Sequence, residues 1–503
     1  MNLFRAIAAA PDLDRTLFEL PGDRTVTYAE TFALAAQFAH ALHALGVRPG
    51  DRVVVQTPKS WPAVALYLGC LRSGAVYVPL NPAYTATEVG HVLEDAEPTL
   101  LVGAPERRDE LTAAAGKAGA THVVTMGTDG RGDLLDAARD RPVEHEVVPR
   151  AGADLAAIVY TSGTTGRPKG AMLTHDNLRT NAEALVGCWR FTEQDVLVHA
   201  LPIFHVHGMF VATNVVLLAG AAMIFLPTFD AAQVLTACGH ATALMGVPTF
   251  YTRLLAEPGL SPGAVAGMRL FVSGSAPLLA ATHAAWRQRT GHVILERYGM
   301  TETGMNTTNP YDGERRAGTV GFALPGVELR VVAEATGETV PAGAVGVLQV
   351  KGPNVFAGYW RQPERTAEEM RPGGWFVTGD LVMLDEDGYV HIVGRAKDLI
   401  ISGGLNVYPK EVEDQIDQLA GVQESAVVGV NHPDFGEAVV AVVARHPGAE
   451  LDEASVVAAL DGRLARFKQP KRVFVVDDLP RNAMAKVQKN VLRDRYRNVF
   501  GSG

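Results

Sequence analysis

Between Tyr160 and Gly170 the chain reads Tyr-Thr-Ser-Gly-Thr-Thr-Gly-Arg-Pro-Lys-Gly. It places hydroxyls at Thr161, Ser162, Thr164 and Thr165, small residues at Gly163 and Gly166, and cations at Arg167 and Lys169. Backbone N–H groups left uncovered by glycine can approach phosphate oxygens, hydroxyls add hydrogen bonds, and the two cations offset charge. The run therefore suits a polyphosphate. It is not a Walker A loop, which needs Gly directly before its Lys and Ser or Thr after it, where this chain has Pro168 and Gly170. The competing reading is a Gly/Thr-rich linker. Short apolar runs at 155–160 and 171–173 read as buried strands on either side and, with the cations, argue for a loop held in place.

Other polar residues have spacings that chemistry could use. His205 and His207 alternate in the turn 201–208, either as ligands lacking a third partner at metal spacing or as satisfied turn histidines. Residues 270–277 read as a strand ending in Gly274-Ser275-Ala276, a place where α/β sheets hold ligands, or as an ordinary strand-to-helix turn. Within 295–303, Tyr298 offers a ring for base stacking, Thr301 a hydroxyl for phosphate and Glu302 a hard oxygen ligand for Mg²⁺; the same run also reads as a turn with capping. Asp380, at the end of an expected strand 375–380, can accept both hydroxyls of a ribose. Residues 394–409 join a basic turn holding Arg395 and Lys397 to a strand and the pair Gly403-Gly404, and both stretches also read as surface hairpin turns. Lys486, alone near the C-terminal end, reads as a solvated charge.

Alternating elements must position these residues. Strands are expected at 25–28, 52–56 and 75–80 and helices at 29–45 and 61–73, an alternation that implies parallel sheets covered by helices. Residues 106–150 are polar without a clear period and carry no assignment. Cap-type residues at 174–177 begin a helix to about Trp189. The apolar stretch 208–227 approaches membrane-spanning length, but Asn214 and the break at Gly220 mark it as a buried helix followed by a strand. Helices at 411–419 and 455–464 with strands at 424–430 and 438–444 form a small α+β unit.

With 503 residues and 47% hydrophobic content, the chain should divide into more than one domain. Its net charge is −10 without long runs of either sign, so neither a nucleic-acid footprint nor a polybasic membrane anchor is visible, and small-molecule partners are expected. Cys70, Cys188 and Cys238 are sparse and lack metal spacing, which suits a reducing compartment; with no secretory signal at the N-terminus, a cytoplasmic location is expected.

Taken together, the motifs at 160–170, 295–303, 375–380, 394–409 and 479–489 resemble the adenylate-forming superfamily of acyl-CoA synthetases, luciferases and peptide-synthetase adenylation domains, across the full length. The resemblance implies an α/β N-terminal domain, 1–395, holding ATP and the acyl pocket, and a small mobile α+β C-terminal domain, 396–503. It implies that Thr161, Ser162, Gly163, Thr164, Thr165, Gly166 and Lys169 cradle phosphates, with Thr301 beside them. Gly274, Ser275, Ala276, Tyr298 and Gly299 surround adenine, Glu302 and Thr161 hold Mg²⁺, and Asp380 and Arg395 meet the ribose. Lys397 is the expected hinge, Gly403 and Gly404 flank the pantetheine path of coenzyme A, and Lys486 is the expected catalytic lysine. One departure is Ala485, where the family has Gly; should that position need a left-handed backbone, Ala costs about 1 kcal/mol and slows adenylation.

Within the superfamily, the stretches 246–253, 296–302, 305–307 and 309–313 look like malonyl-CoA synthetases. That likeness implies malonate as the acid, with methylmalonate a further candidate, and ATP, Mg²⁺ and coenzyme A as the other participants. Arg297 would hold the distal carboxylate, since guanidinium pairs bidentately with carboxylates. His207, Ser275 and Met305 would shape the pocket, His207 also belongs to the expected catalytic set, and Arg253 is the reserve cation. The competing reading pairs Arg297 with Glu296 or Glu302 for structure alone. Rival functions are a broader short-chain, medium-chain or aryl acyl-CoA ligase and a catalytically impaired adenylate-binding protein. A peptide-synthetase module should precede a carrier domain, and none is expected in this chain.

Overall fold

Short strands with near-continuous apolar residues build two mostly parallel sheets, as expected where helices cover both faces. The computed structural model describes residues 1–118, 122–128, 131–161, 169–403, 405–482 and 486–501. Among these, one nine-stranded sheet runs Phe322–Ala323, Gly304–Thr308, Leu295–Met300, Leu270–Ser273, Ala243–Gly246, Val196–His199, Ala222–Phe225, Thr16–Leu20 and Arg24–Thr27. Its central strands are parallel, so the segments leaving Val196–His199, Ala243–Gly246 and Leu270–Ser273 emerge at one edge. A crevice beyond such strand ends is the usual ligand position in α/β sheets.

A six-stranded sheet contains His122–Thr125, Leu100–Gly103, Arg52–Gln56, Val76–Pro79, Leu155–Thr161 and Lys169–Thr174. Its last pair is antiparallel, with Thr161 opposite Lys169, so the ends of the hydroxyl-rich run are fixed by strand pairing. Helices start where caps permit. Thr174 accepts from Asn177 in a reciprocal capping box that opens His175–Trp189. Ser60 caps Trp61–Ser73, which ends at Gly74 with φ 76°.

Two features differ from the sequence reading. Residues 106–150 contain helices Arg108–Ala118 and Asp133–Ala138 around strand His122–Thr125. The strand is at the sheet edge, where partial exposure removes the apolar signature. The sheet built on Glu328–Val332, Val345–Lys351 and Trp375–Leu384 is antiparallel throughout, so the expectation of parallel sheets does not extend to this part of the chain.

A fourth sheet joins Leu405–Val407, Ile400–Ser402, Gly436–Arg445, Val422–His432 and Arg472–Val476, with apolar clusters on both faces, one around Val427, Val439 and Val456 and another around Val428, Val440 and Leu492. No described helix is long and apolar enough to cross a membrane.

Candidate active site

At the hairpin end, Lys169 Nζ lies 3.6 Å from Glu369 Oε1 and 4.8 Å from the centroid of the Tyr359 ring. The Tyr359 hydroxyl sits 2.9 Å from Glu302 Oε1 and 2.7 Å from Glu369 Oε2, bridging two carboxylates. Glu302 is buried, and that burial raises its pKa; hydrogen bonds oppose the shift, while Glu369 adds to it. Tyr359 and Glu369 are absent from the sequence reading. They lie 57 and 67 residues beyond Glu302, and only the fold brings them together.

Beside this cluster, strand Leu295–Met300 carries Tyr298, whose hydroxyl donates to Asp380. Arg395 stands opposite Asp380 across a strand pair, with Nε 2.8 Å from Oδ1, and Arg395 Nη1 donates to the Thr378 carbonyl at 3.0 Å. Asp380 is in mid-strand, within Trp375–Leu384, rather than at a strand end. The preceding Gly379 takes φ 71°, which reads in sequence as a stop but here is a local irregularity. Gly299 must stay bare, because a Cβ there would come within 2.1 Å of the Gly304 carbonyl oxygen and 2.5 Å of Met305 Cε. Thr301 and Ala276 are half-buried next to Glu302 and Ser275.

The third cluster forms where Leu270–Ser273 ends. Ser275 holds φ 70°, a left-handed value uncommon outside glycine, which brings its Oγ to 3.2 Å from His207 Nδ1. His207 Nε2 is buried without a partner. Arg297 is only 3% exposed, and its Nε and Nη2 likewise have no partner. Burial pushes Arg297 down to about 9, with Tyr251 opposing, and pushes His207 well below its ordinary range, helped by Arg297. Met305 is buried alongside. Such a set of dehydrated donors can receive an anion, because leaving them unpaired costs free energy.

The structural pairing of Arg297 with a neighbouring glutamate does not occur. Successive strand residues face opposite sides, and Glu296 Oε1 accepts from the Gly318 N–H at 3.0 Å, while Glu302 is held by Tyr359. Arg253, the reserve cation, is exposed on the outer side of helix Pro248–Ala256, 6.0 Å from the Phe229 ring centroid. The buried face of that helix is formed by Phe250, Tyr251 and Leu254, which turns Arg253 outward and removes it from the pocket set.

From the small α+β unit, Lys486 N donates to Asn482 Oδ1 at 3.0 Å and Asn482 N to the Lys486 carbonyl at 2.9 Å, closing a turn. The residue as a whole is exposed, yet its amine has lost much of its solvent. That loss, then the charges of Arg395 and Arg297, lower its pKa, while Asp380 and Glu302 pull it up. His205 feels the same amine. The charge of Lys486 is thus felt by groups in all three clusters. Lys397 is exposed in the turn Ala396–Asp398, and Gly403, at φ 58°, turns a hairpin and donates to the Phe435 carbonyl at 2.9 Å. Ser162, Gly163, Thr164, Thr165, Gly166, Arg167, Gly404 and Ala485 lie outside the described residues.

Comparison with known proteins bears on this arrangement. Residues 3–360 match the AMP-binding enzyme family, and residues 411–486 match the AMP-binding enzyme C-terminal domain. The ATP-bound structure of MatB from Rhodopseudomonas palustris is 56% identical, with 99% of each chain covered and a TM-score of 0.97. A feruloyl-CoA synthase from an Amycolatopsis species is 38% identical over 480 residues, 94% of this chain and 95% of that protein. A malonate–CoA ligase from Arabidopsis thaliana is 35% identical over 485 residues, 90% of this chain and 79% of the relative. With both parts of the family signature matched over most of its length, the chain belongs to the AMP-binding enzymes.

Proposed function

We propose that this chain ligates malonate to coenzyme A in an ATP-dependent, AMP-forming reaction, and that Arg297 selects the diacid. One observation carries the choice of acid: a guanidinium 3% exposed, with two unpartnered nitrogens and no carboxylate in ion-pair range among the described residues. A monocarboxylic acid would leave that cation buried and unpaired, whereas the second carboxylate of malonate supplies a bidentate partner. Similarity to the malonate–CoA ligase and to MatB supports the reading.

The reaction has two stages. A malonate oxygen attacks the α-phosphorus of ATP as the bond to the pyrophosphate oxygen breaks, giving malonyl-AMP and pyrophosphate. The thiol of coenzyme A then attacks the acyl carbon, AMP leaves, and the thiol proton passes to solvent. Lys486 would stabilise the charge that grows between carboxylate and α-phosphate, while Lys169 and Thr161 hold the outgoing phosphates. Asp380, Arg395 and Tyr298 would hold the ribose and base, and Met305, Ser275 and His207 the acid. Ser275 Oγ, 3.2 Å from His207 Nδ1, orients the ring; in the tautomer where the hydroxyl donates to Nδ1, Nε2–H is a donor toward substrate. No protein nucleophile is required.

Glu302 and Thr161 would hold a hard dication. Glu302 offers a buried carboxylate, and no group of three or more His, Cys, Asp or Glu gathers among the described residues, so other oxygens must come from phosphates and water, as Mg²⁺ prefers. Bound there, Mg²⁺ would neutralise phosphate charge. We divide the chain into 1–395 and 396–503, with Lys397 as hinge and Gly403 and Gly404 facing the thiol's approach after rotation. Three free cysteines support a cytoplasmic location.

Pyrophosphate release with ATP, Mg²⁺ and malonate, methylmalonate, acetate or a medium-chain acid, with and without coenzyme A, tests the proposal. Malonate preference that Arg297→Met abolishes is expected. Preference for acetate or the longer acid overturns the diacid reading, and ATP binding without pyrophosphate release from any acid overturns catalysis.

A further inference from the structure

Behind the acid pocket lies a half-buried lysine, Lys59, that the proposed reaction does not use. Lys59 follows strand Arg52–Gln56, and its Nζ lies 2.9 Å from His199 Nδ1, 2.7 Å from the His199 carbonyl oxygen and 4.3 Å from the centroid of the Phe225 ring. No carboxylate lies in ion-pair range of it among the described residues, and loss of solvent pushes its amine well below the usual lysine range. His199 itself is completely buried.

The contacts continue in one direction. An amine that donates to Nδ1 leaves the ring proton on Nε2. His199 Nε2 lies 3.0 Å from the carbonyl oxygen of Gly208, and the Thr213 hydroxyl donates to that same oxygen at 2.9 Å. Burial, then the charge of Lys59, push His199 well below its ordinary range, so it stays neutral and the tautomer is fixed. Gly208 is the second residue of the π-helical turn His207–Thr213, a geometry often found at functional sites. A Cβ at Gly208 would come within 2.0 Å of the Pro202 carbonyl oxygen, so the turn is packed tightly on its other side. His207, whose Nε2 is buried without a partner, directly precedes Gly208.

We infer that Lys59 and His199 act as a positioning pair for the acid, a two-step hydrogen-bond relay that pins the Gly208 carbonyl and so aims His207 at the substrate carboxylate. This rests on the reading of the His207–Arg297 cluster as the acid pocket. Neither residue touches substrate. Their effect should therefore fall on the acid and spare the nucleotide, which is held by other strands.

Lys59→Met keeps the stem but removes the donor, His199→Gln keeps one acceptor and one donor, and Thr213→Val removes the second support of Gly208. Each is assayed by steady-state pyrophosphate release with whichever acid the wild type uses best, so an error in the identity of the acid leaves this test intact. The wild-type acid panel judges that identity separately. Loss of the Lys59–His199 hydrogen bond predicts a rise in KM for the acid of roughly five- to tenfold in Lys59→Met, with KM for ATP within about twofold. His199→Gln, which keeps one acceptor and one donor, should raise the acid KM less than Lys59→Met does, and Lys59→Met combined with Thr213→Val should cost less than the product of the single effects. Equal rises in both KM values, or a lower thermal midpoint with the acid KM unchanged, overturn the proposal. Should Lys59→Met not fold, the same comparison in Thr213→Val decides.

Discussion

Gly274 and Arg297 occupy one space: a Cβ built on Gly274 would lie 2.5 Å from the guanidinium carbon of Arg297. The glycine is required by the neighbour rather than by its own backbone, since its φ lies outside the left-handed range. Gly274→Ala should displace the guanidinium and raise KM for malonate by about tenfold or more, while equilibrium ATP binding changes little. Isothermal titration with ATP, alongside initial rates against malonate, separates the two.

Tyr359 holds Glu302 with its hydroxyl, so Tyr359→Phe should loosen the carboxylate assigned to Mg²⁺. The half-saturating Mg²⁺ concentration should rise roughly tenfold, and excess Mg²⁺ should restore most of kcat. A Mg²⁺ titration of pyrophosphate release at fixed ATP checks this.

Glu296 gives a pH signature. Burial raises its carboxyl from an ordinary 4.5 to about 8, against the Gly318 N–H and the charge of Lys410. The folded chain therefore holds this proton more tightly than the unfolded chain. Its stabilising contribution is complete below about 4.5 and is lost as pH rises through about 8. Glu296→Gln, which keeps an acceptor for Gly318, should flatten that decline and raise the melting temperature at pH 8 by on the order of 2 °C or more. Melting curves from about pH 4 to about pH 9, a range that spans both pKa values, provide the comparison.

Lys486→Ala removes the amine whose charge is felt at Arg395, Arg297 and Asp380. The burst of pyrophosphate in a single turnover should slow by about 10²-fold or more, the usual loss for a group acting on transition-state charge. ATP affinity should stay within a few-fold.

Strands and helices with local signals were legible from residue types. Arg52–Gln56 and Trp61–Ser73 fall where apolar period and caps place them, and Thr174 opens its helix as a capping residue should. The site was legible where its residues sit together in sequence, as Tyr298, Gly299 and Glu302 do. It was not legible where partners are distant. Tyr359 meets Glu302 across 57 residues and Lys59 meets His199 across 140, and no spacing rule joins them. Arg253 failed for a different reason: residue type marks a cation, but the buried face of Pro248–Ala256 decides which way it points. The mid-strand place of Asp380 was hidden by Gly379, whose positive φ interrupts the strand without ending it.

The Asp380–Arg395 pair has a consequence for how the nucleotide and the small unit communicate. Arg395 ends strand Val390–Arg395 and abuts the turn Ala396–Asp398, from which the chain enters the small sheet. A ribose whose hydroxyls donate to Asp380 would compete with Arg395 for the same oxygens, so occupancy would change the load on that turn. Thermodynamic reciprocity then runs both ways: any orientation of the small unit that relaxes Arg395 must tighten or weaken the nucleotide by the same factor. Should the small unit rotate as proposed, nucleotide affinity would report its orientation, readable without observing the domain move.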